Sequence, residues 1–66
     1  MKNNIRVERA ILNISQAELA ERVQVTRQTI NAIELGKYAP SAVLAMKIAR
    51  VFGKKVEDVF ELEDTD

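Results

Sequence analysis

Between Ser15 and Lys37 the apolar positions fall into two short helical stripes separated by a break of very few residues. In the first stripe Leu19, Ala20 and Val23 recur at helical spacing, while Glu18, Glu21 and Arg22 lie on the polar side. Ser15, with Glu18 three residues later, predicts a capping box in which hydroxyl and carboxylate each satisfy an unpaired backbone N–H. Val25 cannot continue that stripe, and Thr26 supplies a new N-cap for a second helix anchored by Ile30, Ala32 and Ile33. Gly36, the residue best able to take the left-handed conformation at a helix end, closes it. The pattern therefore predicts two helices joined by a tight turn over about residues 15–36.

Further helices flank this pair. Asn4 is placed to cap a first helix containing Ile5, Arg9 and Leu12, with Ile14 bridging into the next. Arg9 falls on the same side as Ile5 and Leu12, where an unpaired charge is expensive, so it needs a partner. After the loop K-Y-A-P-S, Ser41 caps a helix from about Ala42 to Phe52 whose core face is Leu44, Ile48 and Phe52, with Ala49 allowing close packing and Gly53 ending it. Val56, Val59 and Phe60 mark a short last helix. The alternation of Phe60 and Leu62 with Glu61 and Glu63 also suits a short strand, for which Lys2 to Asn4 is the partner that charge favours.

The polar residues left on the second helix of the pair give it its chemistry. Arg27, Gln28 and Asn31 lie in its first turn or just after it. Arg presents a fork to guanine O6 and N7, Gln and Asn match adenine N6 and N7, and the hydroxyls of Thr26 and Thr29 suit phosphate oxygens.

On S-Q-A-E-L-A, V-T-R-Q-T-I-N-A-I-E-L-G-K and P-S-A-V-L-A-M-K-I-A-R-V-F, the sequence resembles the Cro/CI-type (XRE) family of helix-turn-helix transcriptional regulators, over roughly Ile5 to Phe60. The resemblance implies an all-α fold, a compact five-helix bundle of the lambda-repressor DNA-binding type. It implies that Gln16 binds a phosphate, that Arg27 and Gln28 read bases in the major groove, and that Lys37 and Tyr38 touch the DNA backbone. It also implies an ion pair between Arg9 and Glu34. The sequence departs from the pattern at Gln24, which stands in the turn where many members carry Gly; a positive φ there costs on the order of 1 kcal/mol.

A chain of 66 residues is expected to form one domain with a modest core, too short for a separate ligand-sensing domain or a large enzymatic cleft. It contains no cysteine and no histidine, which removes disulfides, thiolate chemistry and imidazole metal sites. The acidic end E-L-E-D-T-D, residues 61–66, lacks the spaced oxygen ligands and turn glycine of a calcium loop and reads as a solvated tail. No nucleophile is placed beside a base, so an enzyme is not expected, and neither is a cofactor or metal. No stretch approaches the length of a membrane span and the N-terminus is too charged for a signal peptide, which leaves the cytoplasm as the default.

The net charge of zero divides unevenly along the chain. Residues 1–55 hold ten Lys or Arg against four Glu, a net of +6, and residues 56–66 hold six acids and no base, a net of −6. Polyanion binding depends on the local field within a Debye length of roughly 8 Å, so a basic body with an acidic tail pointing away remains suited to DNA.

Val59, Phe60 and Leu62, with Val43, Met46 and Val51 off the main face of their helix, suggest more apolar surface than a small monomer buries. The expected use is a homodimer through the last helix and its flanks, the arrangement by which helix-turn-helix proteins enter successive major grooves. The sequence is thus read as a sequence-specific regulator binding double-stranded DNA, a dimeric repressor of a palindromic operator. The alternative is an antitoxin or accessory subunit of the same fold, regulated by a protein partner on the C-terminal surface.

Overall fold

In chain order the elements are β1 (Lys2–Asn3), α1 (Ile5–Leu12), α2 (Gln16–Val23), α3 (Arg27–Glu34), α4 (Ala42–Phe52), α5 (Val56–Val59) and β2 (Phe60–Glu61). The structure, a computed structural model, describes all 66 residues. Five helices form the body, and the two ends of the chain meet as an antiparallel strand pair, with Lys2 opposite Glu61 and Asn3 opposite Phe60.

Three helix starts follow the capping residues read from the sequence. Ser15 Oγ accepts from the Glu18 N–H at 3.0 Å, Thr26 Oγ1 from the Thr29 N–H at 3.2 Å and Ser41 Oγ from the Leu44 N–H at 3.2 Å. Only the hydroxyl half of the Ser15–Glu18 box forms. At α1 the expected cap is displaced by one residue, since Asn3 Oδ1, not Asn4, accepts from the Ile5 N–H. Asn4 has φ −113° and ψ 23°, outside the extended cap conformation. Its backbone N–H is committed to the Val59 carbonyl at 2.8 Å and its side-chain amide to that of Asp58.

Four residues with positive φ end helices: Asn13, Gln24, Gly36 and Gly53. The next N–H reaches back each time, from Ile14 to the Arg9 carbonyl, Val25 to Ala20, Lys37 to Ala32 and Lys54 to Ala49, satisfying carbonyls that the helix leaves open. Gln24 adopts φ 62° and ψ 44°, so the turn between α2 and α3 keeps the left-handed geometry without its customary glycine.

The core draws on every helix. Ile5, Leu19, Val23, Ile30, Ile33, Ile48 and Val59 are almost fully buried, each side chain of this kind contributing about 1.5–3 kcal/mol. Leu12, expected on the core face of α1, is instead exposed. Glu8, three residues after Ile5, occupies that face and is buried, with its Oε2 3.2 Å from Lys54 Nζ.

Two expectations for the C-terminal end are corrected. Val59 and Phe60, read as a dimer surface, lie within the chain's own core, 1% and 6% exposed, because the β1–β2 pairing folds this end back over the helices. Leu62 alone of that group remains exposed, at 77%. The acidic segment is also not a free tail. The Met1 amine lies 3.0 Å from Glu63 Oε1 and 3.1 Å from Asp66 Oδ1, and Asp66 Oδ2 accepts from the Glu63 N–H at 2.8 Å. Hydrogen bonds to Glu63 and Asp66 raise the amine above its ordinary pKa, and the Glu63 N–H followed by the amine holds the Asp66 carboxyl below the usual range.

Candidate nucleic-acid interface

Packing of α2 on α3 fixes which side chains α3 can offer. Leu19, Ala20 and Val23 from one helix and Ile30 and Ile33 from the other are buried. Burying Ile30 and Ile33 turns the opposite face outward, and Arg27, Gln28 and Asn31 are all exposed there. Thr26 and Thr29 sit at the start of α3 with their hydroxyl oxygens 3.0 Å apart. Because Thr26 Oγ1 also caps the helix, one hydroxyl proton of the pair bridges the two oxygens and the other remains for an external acceptor.

Beneath this face lies the ion pair anticipated from the sequence. Arg9 Nε is 2.8 Å from Glu34 Oε2 and its Nη2 is 3.1 Å from Glu34 Oε1, a two-pronged contact, while Nη1 donates to the Ile14 carbonyl at 3.1 Å. The side chains are 16% and 8% exposed, so two charges are held largely out of water with their donors and acceptors matched.

Gln16, at the start of α2, joins this pair to the exposed face. Its Nε2 donates to Asn31 Oδ1 at 3.1 Å and to Glu34 Oε1 at 3.3 Å, and its Oε1 accepts from Arg27 Nη1 at 3.0 Å. The sequence motif identified Gln16, Arg27 and Asn31 separately; their mutual bonds were not legible, because they depend on how closely α2 approaches α3. The Gln28 side chain, exposed on the same face, takes no part in these bonds. Lys37 and Tyr38 follow α3 and are exposed.

The acidic segment sits at the far end of α3. Glu61 and Glu63 line one shallow depression with Glu34, Leu35 and Gly36, past the helix C-terminus. An eight-residue helix spans about 12 Å. That exceeds a Debye length of roughly 8 Å, so the negative segment is screened from the turn carrying Arg27.

No group of three Asp or Glu side chains is placed to hold a metal ion. No helix is long and apolar enough to cross a membrane.

Residues 5–59 match the family model described as helix-turn-helix. Over all 66 residues, and the whole of both chains, the sequence is 53% identical to a protein of Methanocaldococcus jannaschii. It is 53% identical over 64 residues to one of Bacillus subtilis, covering 97% of each chain. A protein of Methanothermobacter thermautotrophicus is 52% identical over 65 residues, covering 97% of this chain and 94% of its own. Each of the three carries the name uncharacterized HTH-type transcriptional regulator.

Proposed function

The chain belongs to the helix-turn-helix family of transcriptional regulators, and on that premise we propose that it is a repressor that binds a palindromic operator as a homodimer. The observation that carries this reading is the organised polar face of α3. Arg27 and Asn31 are exposed yet tied through Gln16 to a buried ion pair, so they are ordered before any ligand arrives. Ordering exposed Arg and Asn side chains has a conformational cost, about 1.5–2 kcal/mol for the longest, and it favours binding only when their geometry is used.

In this reading Arg27, Gln28 and Asn31 face base edges in the major groove. Gln16, Thr26, Thr29, Lys37 and Tyr38 face phosphates, and Arg9 with Glu34 acts as scaffold. The size of the chain is in keeping with a homodimer on such an operator. The longest dimension of the chain is 31 Å, while successive major grooves on one face of the duplex are about 34 Å apart. One chain cannot fill two half-sites. With Val59 and Phe60 inside the core, the twofold contact is assigned to apolar residues that the fold leaves exposed in the C-terminal half, Val43, Met46 and Leu62. Occupation of promoter DNA then blocks transcription.

Selection of bound sequences from random duplex DNA by the purified chain tests the proposal. The expected product is a palindrome with half-site centres about 10 base pairs apart. Recovery of unenriched DNA would contradict sequence-specific binding, and enrichment of a lone half-site would contradict the dimer.

A further inference from the structure

Beside the exposed face of α3 runs a groove to which α1 contributes Arg6 and Arg9, α2 contributes Gln16, and α3 contributes Asn31 and Glu34. Arg9 and Glu34 cancel each other's charge through their two-pronged contact, so Arg6 supplies the net charge of the groove. The Arg6 side chain is exposed. It takes no part in the ion pairs of the chain, which join Met1 to Glu63 and Asp66, Arg9 to Glu34 and Lys54 to Glu8. Helix stability does not account for it either, because Arg6 is the second residue of α1 and the positive end of the helix dipole disfavours a cation there.

We infer that Arg6 holds a DNA phosphate in this groove, extending the interface from the helix-turn-helix onto α1. A helix with its side chains is about 10–12 Å across and the major groove about 12 Å wide, so a helix seated there has a phosphate strand along each flank. Gln16 and Asn31 belong both to the bonded polar face of α3 and to this groove, which sets Arg6 on one of those flanks. A guanidinium meets phosphate oxygens with two parallel N–H bonds, and the one carboxylate in the groove, Glu34, is already neutralised by Arg9. Of the acidic segment, Glu61 and Glu63 line a different depression, and Glu63 is held by the Met1 amine. A phosphate contact carries no base information; it fixes the register and angle at which α3 enters. The inference rests on α3 being the DNA-reading helix and adds to it a residue outside the two motif helices.

The test is an affinity titration against the selected operator and a scrambled duplex, by the full chain and by Arg6→Gln, Arg6→Lys and Lys55→Gln, with thermal melting to verify folding. Each phosphate contact contributes about 0.9 to the slope of log affinity against log salt, which between about 50 and 200 mM is a factor of about 3.5. Arg6→Gln is expected to flatten that slope by about one contact while keeping the operator-to-scramble ratio. Its Tm should be unchanged or slightly higher, since α1 loses a charge at its unfavourable end. Arg6→Lys, which keeps the charge, should keep most of the slope. Lys55→Gln removes an exposed charge outside the groove and should keep all of it. An undiminished slope in Arg6→Gln, or an equal reduction in Lys55→Gln, would overturn the inference, the second by showing that net charge rather than contact sets the slope. A changed sequence preference in Arg6→Gln would overturn it too, by making Arg6 a reader of bases. With the wild-type chain still binding its operator, each of these results leaves the DNA-reading role of α3 standing; a wild-type chain without affinity for DNA would remove both.

Discussion

The Glu34 carboxylate grips Arg9 with both oxygens, at 2.8 and 3.1 Å, and the same Oε1 accepts from Gln16 at 3.3 Å. A contact that steadies α1 against α3 thus also reaches the exposed face. Either single substitution, Arg9→Ala or Glu34→Ala, leaves a largely buried charge without its partner and is expected to cost about 3–5 kcal/mol in denaturant unfolding. The double variant should lose less than the sum, and a double-mutant cycle with no coupling would show that the pair contributes nothing as a unit.

Gln24 carries the left-handed turn between α2 and α3 at φ 62°, where a side chain costs about 1–2 kcal/mol. Gln24→Gly relieves that strain but loses about 0.5–1 kcal/mol to the freedom that glycine has in the unfolded chain. A net gain of about 0.5–1 kcal/mol is expected, seen as a rise in Tm of a few degrees. A lower Tm would mean that the Gln24 side chain, which accepts from Lys47 Nζ at 3.4 Å, contributes more than the strain removes.

Docking of the acidic segment on Met1 is expected to depend on pH from both sides. The Asp66 carboxyl titrates below its ordinary 3.8, so its contribution is present above that value and is lost as pH falls through the depressed one. The amine titrates above its ordinary 8.0, so its contribution is present below 8.0 and is lost as pH rises through the raised one. NMR titration of Asp66 and of the Met1 amine checks both directions. Acetylation of the amine should return Asp66 only partway, because the Glu63 N–H at 2.8 Å, the larger cause, stays in place. Ordinary midpoints for both groups would show the segment to be undocked.

Phe60 and Leu62 are two residues apart and should respond in opposite ways. Phe60→Ala empties a core position and is expected to destabilise by about 3–5 kcal/mol. Leu62→Asp removes an exposed apolar side chain and should leave the fold intact while shifting the protein toward monomer in sedimentation. A dimer that Leu62→Asp leaves undiminished would exclude Leu62 from the twofold contact.

Helix content and the caps at Ser15, Thr26 and Ser41 were legible because they are local: a hydroxyl, an N–H three residues on and an apolar stripe lie within a dozen residues. The Arg9–Glu34 pair was legible through the family resemblance, since nothing in the local pattern joins two residues 25 positions apart. What escaped the sequence is long-range. Asn4 reads as a cap until the Val59 carbonyl takes its N–H. Glu8 enters the sequence only as one more charge, and its place three residues after Ile5 on α1 was the available sign that it shares the inward face, opposite Lys54. Val59 and Phe60 look surplus to a monomer until β1 draws the C-terminal end over the core. In the candidate site each residue type was visible, but the direction of the Gln16 amide was not, because it is set by Glu34 and Arg27 across the α2–α3 contact.

The central claim is that the first turns of α3 distinguish one DNA sequence from another. The direct measurement is an anisotropy titration of the chain and Arg27→Ala against the selected operator and a scrambled duplex of the same length, at two salt concentrations. The wild-type chain is predicted to bind the operator at least about a thousandfold more tightly than the scramble. Arg27→Ala is predicted to lose about 1–3 kcal/mol on the operator and much less on the scramble, with both affinities falling as salt rises. Equal wild-type affinity for the two duplexes, or equal losses on both for Arg27→Ala, would contradict it.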